Sequence, residues 1–139
     1  MLVLDTDHFS ELERGSPAGK RLAQGVEADG SESALTIVTV EERLRGWLAE
    51  LARHHEPHRQ ISAYRKLEWQ AGIFHEWIIL PWDETAADMF VNLRQQGIRI
   101  GTMDLKIACI TLAHDATLLS RNGREFSQVP GLRLANWLE

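Results

Sequence analysis

At 139 residues the chain is long enough for one well-buried domain and too short for two of ordinary size. Apolar residues make up 44% and charged residues 25%, the balance of a globular protein, which argues against disorder, a coiled coil or a collagen-like fibre. The formal net charge of −5 argues against holding nucleic acid through an overall basic excess, but it is compatible with an enzyme that gathers carboxylates around a cation.

Taken in chain order, Leu2-Val3-Leu4 reads as a short apolar strand that runs into Asp5. A first short helix is predicted over Ser10 to Arg14. Gly15-Ser16-Pro17 ends it and opens a second, with Ser16 as N-cap and Pro17 at the first helical position. That helix should fade before Asp29-Gly30. The β-branched run Ala34 to Val38 predicts a second strand, with a helix following through Leu51. Thr39 and Glu42 have the spacing of a capping box at that junction. Beyond Pro57 a helix is predicted over Gln60 to Phe74, and Trp77 to Leu80 is the third strand, closed by Pro81. Apolar residues at 86, 87, 90, 91 and 93 give Asp83 to Gln96 an amphipathic pattern ended by Gly97. The stretch Thr102 to His114 is apolar on more than one face, as a buried helix is. Ala116 to Ser120 is the fourth strand, Arg121 to Gln128 a loop, and Leu132 to Leu134 the last strand. This alternation predicts a mostly parallel sheet covered by helices on both sides, an α/β/α arrangement within one domain of residues 1–139.

No apolar run approaches the roughly 20 residues of a membrane span. The N-terminus has no basic region and no small-residue cleavage site, so the expected address is the cytoplasm, with no membrane partner. The single cysteine, Cys109, lies in an apolar stretch and is assigned to the core.

In open parallel sheets the site forms beyond the carboxyl ends of the strands. Asp5 ends strand one, Glu42 follows strand two, and Asp104 lies in the first turn of the buried helix. Asn122 and Glu125 lie just past strand four. Each acid has a plain structural use: capping for Asp5, pairing with Thr39 for Glu42, matching the helix dipole for Asp104. Capping does not, however, require that all fall at one sheet edge. Crowded carboxylates need a compensating charge, and all-oxygen donors without paired Cys or His point to Mg²⁺ or Mn²⁺ over Zn²⁺. Such a site suits phosphodiester hydrolysis.

These residues also resemble a family. LDTDHFSEL, TIVTVEERLRG and GTMDLKIACITLAHDATLLSRNGREF are similar to the four motifs of the PIN-domain ribonucleases, within them the VapC-type toxins and the FitB-like proteins, and VPGLRLANW is typical of that branch. The resemblance implies a three-layer α/β PIN-like fold, Mg²⁺- or Mn²⁺-dependent cleavage of RNA, a homodimer and a cognate antitoxin. Asp5, Glu42 and Asp104 carry over as metal and catalytic acids. Many members have aspartate where this chain has Asn122, which leaves Asn122 as a direct or neighbouring participant and Glu125 as a replacement charge. Thr6 and Ser120, beside these motifs, are supporting candidates. Of Glu41 and Glu42, about 100° apart on a helix, only one faces the site, and both the motif and the capping spacing select Glu42.

The segment from Arg53 to Lys66 carries four Lys or Arg, three His and one acid. Arg59, Tyr64, Arg65 and Lys66 are candidates for contact with RNA or a partner, against the plainer reading of a solvated helix face. His54 and His58 have a zinc-like spacing, but Pro57 interrupts the helix that would align them. His8 either touches substrate or fills space.

Two rival readings remain. Asp5-Thr6-Asp7 resembles the D-x-D of haloacid dehalogenase-like phosphatases, in which Asp5 would be a covalent nucleophile and Asp7 an acid/base. That pattern expects Thr or Val where Phe9 stands. The other is a non-catalytic PIN-like partner-binding module, to which Asn122 gives weight.

Overall fold

The computed structural model describes residues 1–139. Five short strands, β1 (Leu2–Leu4), β2 (Ser33–Thr36), β3 (Ile78–Leu80), β4 (Thr117–Leu119) and β5 (Arg133–Ala135), form one sheet in the order β3-β2-β1-β4-β5. Every pair is parallel, with Val3 opposite both Ala34 and Leu118. The order reverses at β1, which has β2 on one side and β4 on the other, so the crevice of this sheet opens beyond the carboxyl end of β1.

Seven helices surround the sheet: α1 (Thr6–Arg14), α2 (Pro17–Asp29), α3 (Ile37–Ala52), α4 (Ile61–His75), α5 (Glu84–Gln95), α6 (Thr102–Ala113) and the one-turn α7 (Gly123–Phe126). Strand side chains alternate between two cores. Val3, Ala34 and Leu118 pack with Leu93, Ile107 and Ile110 of α5 and α6, while Leu2, Leu4, Leu35 and Leu119 pack with Phe9, Leu22 and Phe74 of α1, α2 and α4. The α/β/α layering predicted from strand and helix alternation is therefore present. The cysteine sits in the first core, on α6, where burial pushes its thiol up to about 11, so it is no nucleophile at neutral pH.

Helix boundaries differ from the sequence expectation in three informative places. The first helix begins at Thr6, four residues early, because the Asp5 carboxylate accepts the His8 N–H at 2.8 Å and caps it. The third helix starts at Ile37, so the β-branched pair Ile37-Val38 is helical and β2 stops at Thr36. There the cap is the Thr36 hydroxyl, which accepts from the Thr39 N–H at 3.3 Å; Thr39 is buried and makes no capping box with Glu42. The loop after β4 contains the single turn α7. A fourth feature is the tight crossing of α1 and α2: a Cβ on Gly19 would overlap the Glu11 carbonyl, so glycine is what lets the two helices approach.

Candidate active site

Asp5, Glu42, Asp104 and Asn122 line a single open cavity of about 570 Å³, together with Thr6, Asp7, Ser10, Ile107 and Arg121. Each arrives there by a separate device. Asp5 is 7% exposed at the end of β1, its N–H donating to Leu119 O at 3.0 Å across to β4. Asp104 is third in α6, pointing back toward the sheet edge. Glu42 is sixth in α3, one turn later than its expected place in the first turn after the strand. Its neighbour Glu41 turns away and pairs with Arg45 at 2.6 Å, so Glu42 is the member of the pair that faces the cavity.

The supporting residues hold these acids by hydrogen bonds. Thr6 Oγ1 donates to Glu42 Oε1 at 3.2 Å and lies 3.0 Å from Thr39 Oγ1, so buried Thr39 anchors Thr6 instead of capping a helix. Asn122 Nδ2 donates to Asp104 Oδ2 at 3.1 Å, and the Asn122 N–H donates to the buried Ser120 Oγ at 3.0 Å. An aspartate at 122 would repel Asp104 where the amide now binds it. Glu125 does not line the cavity; its charge contributes only a small upward push on Asp104. His8 is fully buried. Its Nε2 accepts the Trp137 N–H at 3.3 Å, which leaves the proton on Nδ1, 3.3 Å from Asp5 Oδ1. That close approach is not aligned as a hydrogen bond. His8 thus ties the C-terminal segment to Asp5 and is closed to substrate.

Two polar residues of this cavity, Arg121 and Ser10, were not among the site residues expected from the sequence. Arg121 is the only cation lining it, and it is clamped by the carboxylates of Asp7 and Glu11, the latter at 3.4 Å. Ser10 lies one helical turn beyond Thr6, a spacing that places both on one face of α1. The Asp7–Arg121 pair spans 114 positions and has no local signal.

Burial pushes the Glu42 carboxyl above its ordinary 4.5; the Thr6 hydrogen bond opposes this, and the charges of Asp104, Asp5 and Glu41 add to it. Burial likewise raises Asp104 above 3.8, reinforced by Asp5 and opposed by the Asn122 hydrogen bond. Glu42 therefore feels the charges of Asp104 and Asp5, and Asp104 feels that of Asp5. A carboxyl raised in the folded state keeps its proton longer there than in the unfolded chain, so its stabilising increment is present below the unfolded pKa and is lost as pH rises through the folded one. Metal-free Glu42→Gln should accordingly lose less melting temperature than the parent as pH is raised from about 4 to 7. An identical pH profile for the two proteins in thermal melts would contradict this.

The donor set is all oxygen, which fits a hard divalent cation and not zinc. No three of the chain's His, Cys, Asp and Glu side chains stand close enough to enclose an ion. That openness suits Mg²⁺, which is bound by one or two carboxylates and keeps several waters. The histidines offer no second centre: His54 approaches Glu50 at 3.5 Å, and His58 approaches Glu56 at 2.9 Å across the turn that Pro57 opens. Of the cationic candidates, Arg65 and Lys66 line a separate cavity, whereas Arg59 and Tyr64 are exposed and line none.

No known family profile matches the chain. Ribonuclease VapC1 of Rickettsia felis is 29% identical over 137 residues, covering 96% of this chain and 93% of that protein. Ribonuclease VapC2 of the same organism is 42% identical over 50 residues; the chain spans just over a third, 37%, of that relative. The solved structure of VapBC-1 from nontypeable Haemophilus influenzae is similar at TM-score 0.73 and 24% identity, over 99% of this chain and 98% of that one. The fold is thus held in common with VapBC-1 from end to end, and the likeness to ribonuclease VapC1 runs over nearly the whole chain, so the chain is similar in fold and sequence to the VapC-type proteins.

Proposed function

We propose that this protein is the toxin of a toxin–antitoxin pair, an endoribonuclease that hydrolyses RNA phosphodiester bonds at the cavity holding Asp5, Glu42 and Asp104. The convergence of these three carboxylates, from β1, α3 and α6, at the switch point of the sheet carries the reading. The relatives named ribonuclease VapC1 and VapC2 support it.

Mg²⁺ or Mn²⁺ held among Asp5, Glu42 and Asp104, by one or two of them directly and by the others through its waters, would offset their charge and lower the pKa of water for attack on the phosphate. Asp5, already fixed by the His8 N–H, presents its remaining oxygen to that site. Thr6 and Asn122 hold Glu42 and Asp104 in place, and Ser120 fixes Asn122. No lysine lines the cavity and its one arginine is paired with two acids, so attack falls to water and not to a basic side chain. The products would carry 5′-phosphate and 3′-hydroxyl ends. A cognate antitoxin is the expected partner, as the similar structures are VapBC and FitAB complexes. We read residues 1–139 as one domain that pairs as a homodimer in the cytoplasm. No helix is long and apolar enough to cross a membrane.

The phosphatase alternative loses its acid/base. The Arg121 hydrogen bond holds Asp7 below the ordinary carboxylate value, the wrong direction for a proton donor. The test is incubation of the purified protein with single-stranded RNA and Mn²⁺ or Mg²⁺. Cleavage stopped by a chelator, with 5′-phosphate ends, supports the proposal. Release of phosphate from small monoesters with the RNA left whole would refute it.

A further inference from the structure

Three more cavities are present, two of which share a lining residue with the carboxylate site. Ser10 belongs both to the carboxylate cavity and to the next one, which reaches Arg43, Trp47 and Trp69. Glu42 joins the carboxylate cavity to a third, bounded by Arg43, Trp47 and Glu50. Trp69 is also a wall of the remaining cavity, about 480 Å³, which shares no residue with the carboxylate cavity and holds His58, Arg65 and Lys66 and no carboxylate. Shared lining residues place these cavities in succession along α1, α3 and α4, from the acids to a cationic end, and we read that succession as a groove.

We propose that single-stranded RNA runs along this groove away from the cut and stacks an unpaired base on Trp69. The proposal rests on the ribonuclease reading and extends it to where the rest of the strand lies.

Charge along the groove fits a polyanion. Glu13 is answered by Arg43, in contact although not aligned as a hydrogen bond to that oxygen, and by Gln70 Nε2 at 3.1 Å. Glu50 is paired with Arg53 at 3.0 Å and approached by His54, and Arg14 is paired with Glu11 at 3.2 Å. Arg65 and Lys66 enter none of the chain's ion pairs, so their charge is available to phosphates. The aromatic surfaces are held in readiness. Trp47 Nε1 donates to the fully buried Gln70 at 3.2 Å, and Lys66 Nζ lies 5.9 Å from the Trp47 ring centre. Trp69 is 52% exposed, and such a face is sequence-tolerant because every base has a π-surface. A protein partner would need the opposite wall, since interface cores are depleted of charge, whereas only two of the six residues of the cationic cavity are apolar.

The experiment measures anisotropy of fluorescein-labelled oligouridylate, one of about 12 nucleotides and one of four, with the full chain in EDTA so that nothing is cleaved. The parent should bind the longer strand more tightly. Trp69→Ala should weaken the longer strand by about tenfold and erase the length preference. Trp69→Phe should restore most of it, and Lys66→Ala should reduce the salt dependence by about one phosphate contact. In Mn²⁺ the alanine variant should raise KM for the longer strand with kcat nearly constant. Melting curves establish that the variants are folded. Equal affinity of parent and Trp69→Ala for the longer strand overturns the proposal. So does unchanged RNA affinity with loss of a co-expressed antitoxin, which would give the face to a protein. A parent that neither binds nor cuts RNA overturns the ribonuclease reading itself.

Discussion

Asp104→Asn is expected to lower RNA cleavage by about a thousandfold, the rate equivalent of the several kcal/mol that a correctly held cation contributes to phosphoryl chemistry. The same variant should melt no lower than the parent without added metal. Burial and the Asp5 charge push the Asp104 carboxyl up, so its ionisation at neutral pH works against the fold, and an amide relieves that strain. The amide oxygen can still accept from Asn122 Nδ2, so the bond that now spans 3.1 Å survives. Added Mn²⁺ separates the two effects. At 100 times its Kd a ligand adds about 2.7 kcal/mol, a rise of roughly 5–10 °C for a chain of this size, and the variant should lose most of that rise. Full cleavage by Asp104→Asn would remove Asp104 from the site. A parent indifferent to millimolar Mg²⁺ and Mn²⁺ would favour the non-catalytic partner-binding module.

Phe9→Ala should destabilise the protein by about 3–5 kcal/mol, the largest loss expected from one side chain here. Phe9 is 1% exposed and stacks on Phe74 with ring centres 5.8 Å apart, with the edge of Trp77 at 5.5 Å. The Arg43 guanidinium lies 5.2 Å from its centre on another side. Truncation therefore leaves a cavity where α1, α3 and α4 meet, and these walls cannot all collapse into it. Urea unfolding measures the loss, and it should come as a lower midpoint with little change in slope. Phe9 lies just one turn beyond Asp5, yet it reaches no cavity-lining position, so turnover per folded molecule should change far less than stability. A cost under about 1 kcal/mol would mean that this junction repacks freely. The same position is where the dehalogenase-like pattern asks for Thr or Val, and its filling by a core aromatic fits the loss of that reading.

The two predictions differ in how far each was visible in the chain alone. Asp5, Glu42 and Asp104 could be nominated because strand-end and helix-start signals are local, and a parallel sheet places all such junctions at one edge. The same signals misplaced boundaries where one side chain serves two purposes. Asp5 caps α1 as well as lining the cavity, and Thr36 takes the cap that Thr39 was expected to supply.

Composition and periodicity by themselves determined the class of fold, because alternating apolar strands and amphipathic helices can bury their faces in few ways. The chain alone also nominated Asp5, Glu42 and Asp104, which line one cavity, and Glu125, which does not. What only the tertiary structure decided is how those acids are held and what adjoins them. Asn122 binds Asp104 across 18 positions, Arg121 is clamped by Asp7 across 114, and Gln70 joins α4 to Glu13 on α1 across 57. Such contacts depend on side chains meeting after the helices have packed, and no pattern of neighbouring residues encodes them, because hydrogen bonds and ion pairs act over a few ångströms of space and not over any fixed distance along the chain.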